Sequence, residues 1–531
     1  MTVRVQREKF RPYATATRET PLLHSILRPC IPFLLPVIAT AYRCRWFLSL
    51  PLRTRILPKW IPTIPYFDWI LNMTIGELLL LGPWIVVFIL GYHSSFSVPD
   101  VDLSGFFASY TIVLTFFTAN KANSLFSLAF GIPYERMVEL HNLSSVVSIV
   151  LGLFHVITSY EYDQDSQYSA LSDSKNWWRF LFDGATNRSG MVALTSMVLL
   201  VVLSFFRFIR HYAYQMWLFS HIVLALATLV GLLLHDVLIA IVIIAWWVLD
   251  LVVRYVYQSS FEYNIQASLR KIDTTDDHRD PAIEITFPKP FDFNAGQFVR
   301  IAVPALSVFE FHPITISSAP QEENVTLHVR ALGNWTQRLV ALGVDSTRVL
   351  MEGPYGAPSV DLDNDQQYQS VLLISGGIGV TPCQSIGKSL LHQHQILDRK
   401  LSKLKFVWVV RNLRMVQEIV PLGLLESVEE LEDTLEVDVY CTRPGSEDNA
   451  MMERSTVPYQ VHTGRPDMDE VFETMKAEAL KRGESYVAVI ACGPKQLIHS
   501  VQQACRRHSQ AVVGCGGSGV FFDLHTERFE Y

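Results

Sequence analysis

Two apolar runs of membrane-spanning length each carry two histidines with thirteen residues between them. They are Met137 to Thr158, MVELHNLSSVVSIVLGLFHVIT, with His141 and His155, and Gln215 to Asp236, QMWLFSHIVLALATLVGLLLHD, with His221 and His235. Fourteen steps of an α-helix rise about 21 Å and turn about 1400°, so both side chains of a run return to nearly one face, one near each leaflet. If the two helices run parallel, His141 meets His221 at one depth and His155 meets His235 at the other. A single histidine in a membrane helix is satisfied by a hydrogen bond to a neighbouring helix. Two pairs at identical spacing point instead to ligation, with two imidazoles on each iron of two haems stacked across the membrane.

The 531 residues are half hydrophobic and only 18% charged, with a net charge of -7. That is too apolar for one soluble domain and, in the second half, too charged for a pure membrane bundle. The expected layout is a basic N-terminal segment over 1–70, a transmembrane haem domain over 71–257, an antiparallel β-barrel domain over 258–366 and an α/β nucleotide-binding domain over 367–531. Six spans are expected near 75–92, 104–120, 138–157, 190–208, 213–234 and 237–254. The N-terminal segment has eleven Lys or Arg against three acids, and its apolar stretch at 31–42, broken by Pro32 and Pro36, reads as interfacial. Lys121, Arg136, Arg207, Arg210 and Arg254 fall on one side of the spans, and the five acids of the loop from Glu161 to Asp183 on the other. The positive-inside rule then places both termini in the cytosol and makes His141 and His221 the inner pair. Asn187-Arg-Ser, a possible glycosylation sequon, falls on the outer side. Seven cysteines without a CxxC spacing support neither a disulfide framework nor a zinc or iron–sulfur site. No basic patch with interleaved aromatics points to nucleic acid.

After Arg254 the pattern changes to short alternating strands (FEYNIQASLRKI, AIEITFP, QFVRIAV, NVTLHVRAL), the mark of a small antiparallel barrel. From Ser370 buried strands alternate with helical stretches (VLLISGG, KFVWVV, EVDVYC, YVAVIACG), which predicts a parallel nucleotide-binding sheet. Leu372 to Pro382, LLISGGIGVTP, is a buried strand emptying into a glycine-rich turn. Gly376, Gly377 and Gly379 permit the tight turn a dinucleotide pyrophosphate needs, Thr381 can donate to it, and Pro382 precedes a helix at Gln384. Gly333-Asn-Trp-Thr336 opens a helix whose free N–H groups attract phosphate, with Arg330 three residues earlier.

With His312-Pro-Ile-Thr-Ile-Ser-Ser-Ala-Pro and Glu352-Gly-Pro-Tyr-Gly in the same order, the chain resembles the ferric reductase and NADPH oxidase superfamily over about residues 75–531. The resemblance implies a relay from cytosolic NADPH to FAD, to an inner and then an outer b-type haem, and to an acceptor across the membrane. It implies that His312, Pro313 and Thr315 line the isoalloxazine, with Thr315 near the reactive edge, Ser317 and Ser318 continuing the strand, and Ile314 where the family usually has Phe. Gly333 and Thr336 match its pyrophosphate segment, to which Arg330 could add charge. Arg411 and Arg465 match positions near the 2′-phosphate of NADPH. Cys492, Gly493 and Pro494 match the segment beside the nicotinamide, Cys492 being a packing residue near the hydride path. Tyr531 matches the C-terminal aromatic that lies over the flavin.

The resemblance also bears on the acceptor. Superoxide-producing members have one residue fewer between the histidines of the fifth span and a basic cluster beside the outer haem. Here both spacings are thirteen, Ser159 stands one turn beyond His155, and the second span, GFFASYTIVLTFFTAN, has no Arg or His. These departures favour a metalloreductase of a plasma membrane or endomembrane acting on ferric or cupric chelates. A superoxide-generating oxidase is the alternative, and a catalytically silent scaffold or ion conductor a further one.

Overall fold

The computed structural model describes residues 76–82, 85–86, 101–119, 132, 134–165, 177–182, 184–206, 208–209, 213–257, 263–273, 281–308, 310–356, 358, 360–419, 431, 433–445, 459–509 and 519–527. The basic N-terminal segment, most of the first expected span, Lys121, Arg207, Arg210 and Tyr531 lie outside the described residues. The chain divides into two units, one ending at Tyr257 and one continuing after it.

The first unit is helical: α1 (Val101–Thr118), α2 (Tyr134–Asp165), the short α3 (Trp177–Phe182), α4 (Gly184–Phe205), α5 (Tyr214–His235) and α6 (Val237–Tyr257). In hydrocarbon every backbone polar group must be satisfied within its own segment, so long apolar runs become helices. Among the described residues, α1, α2, α4 and α5 are long and apolar enough to cross a membrane, against the six spans expected. The apolar described stretch of α6, Val237–Val252, is shorter. Apolar side chains on the outer faces remain exposed, including Val150, Leu153 and Phe154 on α2 and Leu226, Val230 and Leu234 on α5. A water-soluble bundle buries such residues; a bilayer solvates them.

Small and hydroxylated residues join the helices. Ser104 and Thr158 pair at 2.8 Å and Thr115 and Ser148 at 3.1 Å, both between α1 and α2. Gly231 of α5 backs onto α4 so closely that an ideal Cβ there would lie 2.8 Å from the Ala193 nitrogen. Such close approach lets van der Waals packing and interhelical hydrogen bonds do what the hydrophobic effect cannot do in lipid. Glu77, fully buried, takes a bidentate ion pair from Arg136 at 2.8 and 3.0 Å.

The second unit holds two sheets. β1 (Tyr263–Asp273), β2 (Pro281–Pro288), β3 (Phe298–Ala302), β4 (His312–Thr315), β5 (Asn324–Arg330) and β6 (Ser346–Tyr355) pair antiparallel in the order β4-β3-β6-β1-β2-β5. An Ile316–Leu327 bridge joins the two edges, so the sheet closes round a core that includes Ile285, Phe287, Ile301, Leu327 and Met351. Helix α7 (Asn334–Val340) follows β5.

The other sheet runs β10-β9-β8-β7-β11-β12, all parallel, from β7 (Ser370–Gly376), β8 (Lys403–Val410), β9 (Leu435–Cys441), β10 (Gln460–Thr463), β11 (Tyr486–Cys492) and β12 (Phe521–Glu527). Helices α8 (Val380–Ile396), α9 (Arg414–Glu418), α10 (Met468–Lys481) and α11 (Lys495–His508) connect the strands. Every residue of β7 is buried, with Val371 and Leu373 entering one core cluster and Leu372 and Ile374 the other. A strand buried on both faces is the central strand of a covered parallel sheet. The order reverses between β7 and β11, and the crevice at the carboxyl ends of such a pair is where open α/β sheets take ligands.

Candidate functional site

The four histidines of the helical unit meet in the two pairs their spacing requires. The rings of His141 and His221 lie 6.4 Å apart, centre to centre, and those of His155 and His235 also 6.4 Å. Metal–imidazole nitrogen bonds are about 2 Å long, so one ion between two imidazoles separates the ring centres by roughly 6 Å. Three rings have their Nδ1 occupied, which leaves Nε2 for a metal. His141 Nδ1 donates to the Thr115 carbonyl at 3.0 Å and His235 Nδ1 to the Thr186 carbonyl at 2.9 Å. His155 Nδ1 lies 3.0 Å from Ser104 Oγ, whose own proton goes to the Val101 carbonyl. The Nδ1 of His221 is buried without a partner among the described residues. No group of three or more His, Cys, Asp or Glu side chains suited to a metal gathers among the described residues. Two ligands per ion suit an iron whose other four positions are filled by a macrocycle, so the pairs fit haem.

Glycine makes room for the second pair. An ideal Cβ on Gly105 would lie 3.0 Å from His155 Cε1, and one on Gly190 2.9 Å from His235 Cε1. The sequon beside Gly190 is folded into α4: Asn187 Nδ2 donates to the Phe180 carbonyl and Ser189 is buried.

In the flavin motif, β4 pairs with β3 and presents Thr315 at 4% exposure with a hydroxyl that has no partner among the described residues. A buried orphan hydroxyl costs free energy unless something satisfies it, which fits a polar ligand at this position. His312 stacks on Trp335 of α7 at 4.1 Å, and burial lowers the basicity of its imidazole. Pro313 is exposed, while Ile314 packs against the barrel core. Beyond Ile316 the chain continues through Ser317 and Ser318, and Ser385 Oγ of α8 donates to the Ser318 carbonyl at 2.7 Å. That bond ties the tail of the flavin motif to the helix that follows the glycine turn. In the expected pyrophosphate segment, the N–H groups of Leu332 and Gly333 donate to Thr336 Oγ1 at 3.0 and 2.9 Å. The space beside Gly333 is open, and Arg330 precedes it at the end of β5.

At the head of the parallel sheet the three glycines divide their work. Gly377, at φ +55, has open space where a side chain would be. An ideal Cβ on Gly376 would instead lie 2.7 Å from Pro494 Cδ, one on Gly379 2.5 Å from the Cys492 carbonyl oxygen, and one on Gly493 3.1 Å from the Gly376 nitrogen. Gly376 and Gly379 therefore serve strand-to-strand packing, and Gly377 alone faces space a phosphate can enter. Thr381 Oγ1 donates within its own turn to the Ile378 carbonyl at 3.3 Å, and Pro382 is buried in the first turn of α8. The Cys492 side chain is buried, and the residue lies opposite Ser375 in the β7–β11 register. Arg411 and Arg465 are both exposed at carboxyl ends of strands, after β8 and β10. At about 4.8 Å per strand, Arg411 is one strand from the turn and Arg465 three.

His328, Glu284 and Gln384 form part of a polar cavity of about 420 Å³ between the closed sheet and α8. Sequence reasoning passed over them, because a lone polar residue in an alternating strand reads as solvent-facing. Trp335, read only as part of a four-residue motif, is the aromatic partner of His312.

Three family models match successive parts of the chain. The family of ferric reductase like transmembrane components matches residues 104–232, an FAD-binding domain family 266–359 and the ferric reductase NAD binding domain family 368–506. Dual oxidase 2 of Rattus norvegicus is 24% identical over 428 residues, which cover 71% of this chain and 27% of the oxidase. NADPH oxidase 1 of Mus musculus is 30% identical over 285 residues, 50% of this chain and 47% of that one. The chain thus spans less than half the length of either relative. A ferredoxin NADP+ reductase of Neisseria gonorrhoeae, solved with bound FAD and NADP, is 14% identical with a TM-score of 0.36 over 50% of this chain and 98% of that one.

Proposed function

The chain belongs to the ferric reductase and NADPH oxidase superfamily, and from that premise we propose that it carries electrons from NADPH through FAD and two b-type haems to a ferric or cupric chelate on the opposite face of a membrane. The observation that carries this reading is the equal 6.4 Å separation of the rings in both histidine pairs. FAD, when bound, takes up a hydride and gives out single electrons, which lets a two-electron donor feed one-electron carriers. The protein binds, orients and insulates. The carbonyls of Thr115 and Thr186 and the hydroxyl of Ser104 fix the imidazoles; the buried Thr315 hydroxyl and the His312–Trp335 stack receive the flavin. Gly377 admits the NADPH pyrophosphate, Arg411 and Arg465 supply positive charge for the 2′-phosphate, and Cys492 fills the space beside the nicotinamide.

The equal histidine spacing and the lack of Arg or His in α1 favour a metal chelate as acceptor. The names of the relatives, dual oxidase and NADPH oxidase, favour a second reading in which oxygen accepts the electrons and superoxide leaves. Stopped-flow haem absorbance separates the two. Purified, FAD-supplemented protein reduced by NADPH is mixed with anaerobic ferric chelate or with oxygen. Faster reoxidation by the chelate supports the metalloreductase, and faster reoxidation by oxygen the oxidase. No haem reduction by NADPH would sink both.

A further inference from the structure

Along β5, Val325, Leu327 and Val329 enter the barrel core, so His328 belongs to the outward face. It is nevertheless only 7% exposed, because α8 covers that face. Its ring nitrogens touch two groups. Nδ1 lies 2.8 Å from Oγ of the fully buried Ser317, and Nε2 lies 3.4 Å from Glu284 Oε2 on β2. Arg270 of β1 holds the same carboxylate at 2.8 Å and reaches Glu418 of α9 at 3.4 Å. The far wall of the cavity carries the Lys388–Glu322 pair and Gln384. At about 30 Å³ per molecule, a cavity of this size holds on the order of a dozen waters.

The protons in this cluster can be placed. Hydrogen bonding from His328 and Arg270 outweighs burial and holds the Glu284 carboxyl down at about 2, so it is ionised at neutral pH. A carboxylate only accepts, so in its neutral form His328 carries its hydrogen on Nε2. Nδ1 is then a lone pair, and the Ser317 hydroxyl donates to it. Ser317 stands two residues beyond Thr315, on the same face of the extended chain.

We propose that Ser317, His328 and Glu284 form a proton relay between the buried face of the flavin-motif strand and the water of the cavity. The inference rests on the proposed function: oxidation of NADPH to NADP+ yields two electrons and one proton, and electrons that leave through the haems leave that proton behind. In the relay a proton bonds to Ser317 Oγ while the original O–H bond breaks and its hydrogen passes to His328 Nδ1. The Nε2–H bond breaks in turn, and that proton goes to Glu284 or to cavity water. One proton enters and one leaves, the imidazole ends neutral, and exchange with cavity water restores its tautomer. Burial falls along the path, from Ser317 at 0% through His328 at 7% to Glu284, whose side chain is 23% exposed. The other charged groups facing it, Arg270, Glu418, Lys388 and Glu322, are already paired and hold the path's geometry.

The test uses the full chain in nanodiscs, supplied with FAD and mixed with NADPH and a ferric chelate in weak buffer with a pH indicator. Haem reduction and proton release are recorded in the same shot. In H328Q and E284Q the delay between the two is expected to lengthen at least tenfold relative to wild type, with E284Q carrying the test if H328Q loses flavin. In FAD-free, 15N-histidine-labelled protein, the resonance absent from H328Q is expected to report the Nε2–H tautomer, and E284Q a mixture of tautomers. An unchanged delay in E284Q, or an Nδ1–H tautomer in wild type, overturns the relay alone. Failure of NADPH to reduce the haems of wild type removes the proposed function and the relay together.

Discussion

In the helical unit an added Cβ at Gly105 or Gly190 meets a histidine ring at 3.0 or 2.9 Å, whereas in the parallel sheet one at Gly379 meets the Cys492 carbonyl at 2.5 Å. A ring yields by turning about its side-chain bonds. A carbonyl in the central pair of strands yields only if the sheet moves. The helices therefore hold their chemistry in side chains with some freedom, and the sheet holds it in main chain with almost none. Comparable substitutions should give altered spectra in the first unit and lost stability in the second.

The contrast is sharpest where a ligand is removed outright. His155→Ala is expected to cut haem content from about two per chain to about one, by pyridine haemochrome assay, and to abolish reduction of the external acceptor. Next in size, Gly379→Ala overpacks the β7–β11 junction at a cost of about 1–3 kcal/mol, read by calorimetry as a lowered melting temperature of the sheet unit. An unchanged melting temperature would mean that the junction can open, and the contrast would fail. Gly190→Ala should leave stability within about 1 kcal/mol, since alanine also favours the helix. It should shift the midpoint potential of one haem and spare the other in a redox titration.

Two smaller effects refine the picture on the flavin side. Thr315→Val removes a hydroxyl that has no partner among the described residues, so FAD-free protein should be as stable or more so. FAD affinity should fall by about 0.5–1.5 kcal/mol, the net value of one hydrogen bond, as measured by fluorescence titration. Glu284, held at about 2 against an ordinary 4.5, contributes stability that is fully present above 4.5 and fades as pH falls through 2. Glu284→Gln should flatten that acid limb in a series of denaturant melts, and an unchanged limb would mean that other carboxylates set it.

The histidine pairs were legible because a helix repeats: spacing alone fixes the face and depth of each ring. The glycine turn was legible as a motif, but its division of labour was not. That Gly376 and Gly379 answer to Pro494 and Cys492 depends on a strand more than a hundred residues later lying beside β7. His328 was hidden for the opposite reason, since strand alternation assigns it correctly to the outer face and says nothing of the helix that covers that face.

The hydroxyl of Thr336 gathers the N–H groups of Leu332 and Gly333 without help from any ligand. The turn is thus held in shape by a side chain of the helix it opens. On the proposed reading, a dinucleotide phosphate would compete with one threonine hydroxyl for N–H groups that are already aligned, rather than having to order a loop.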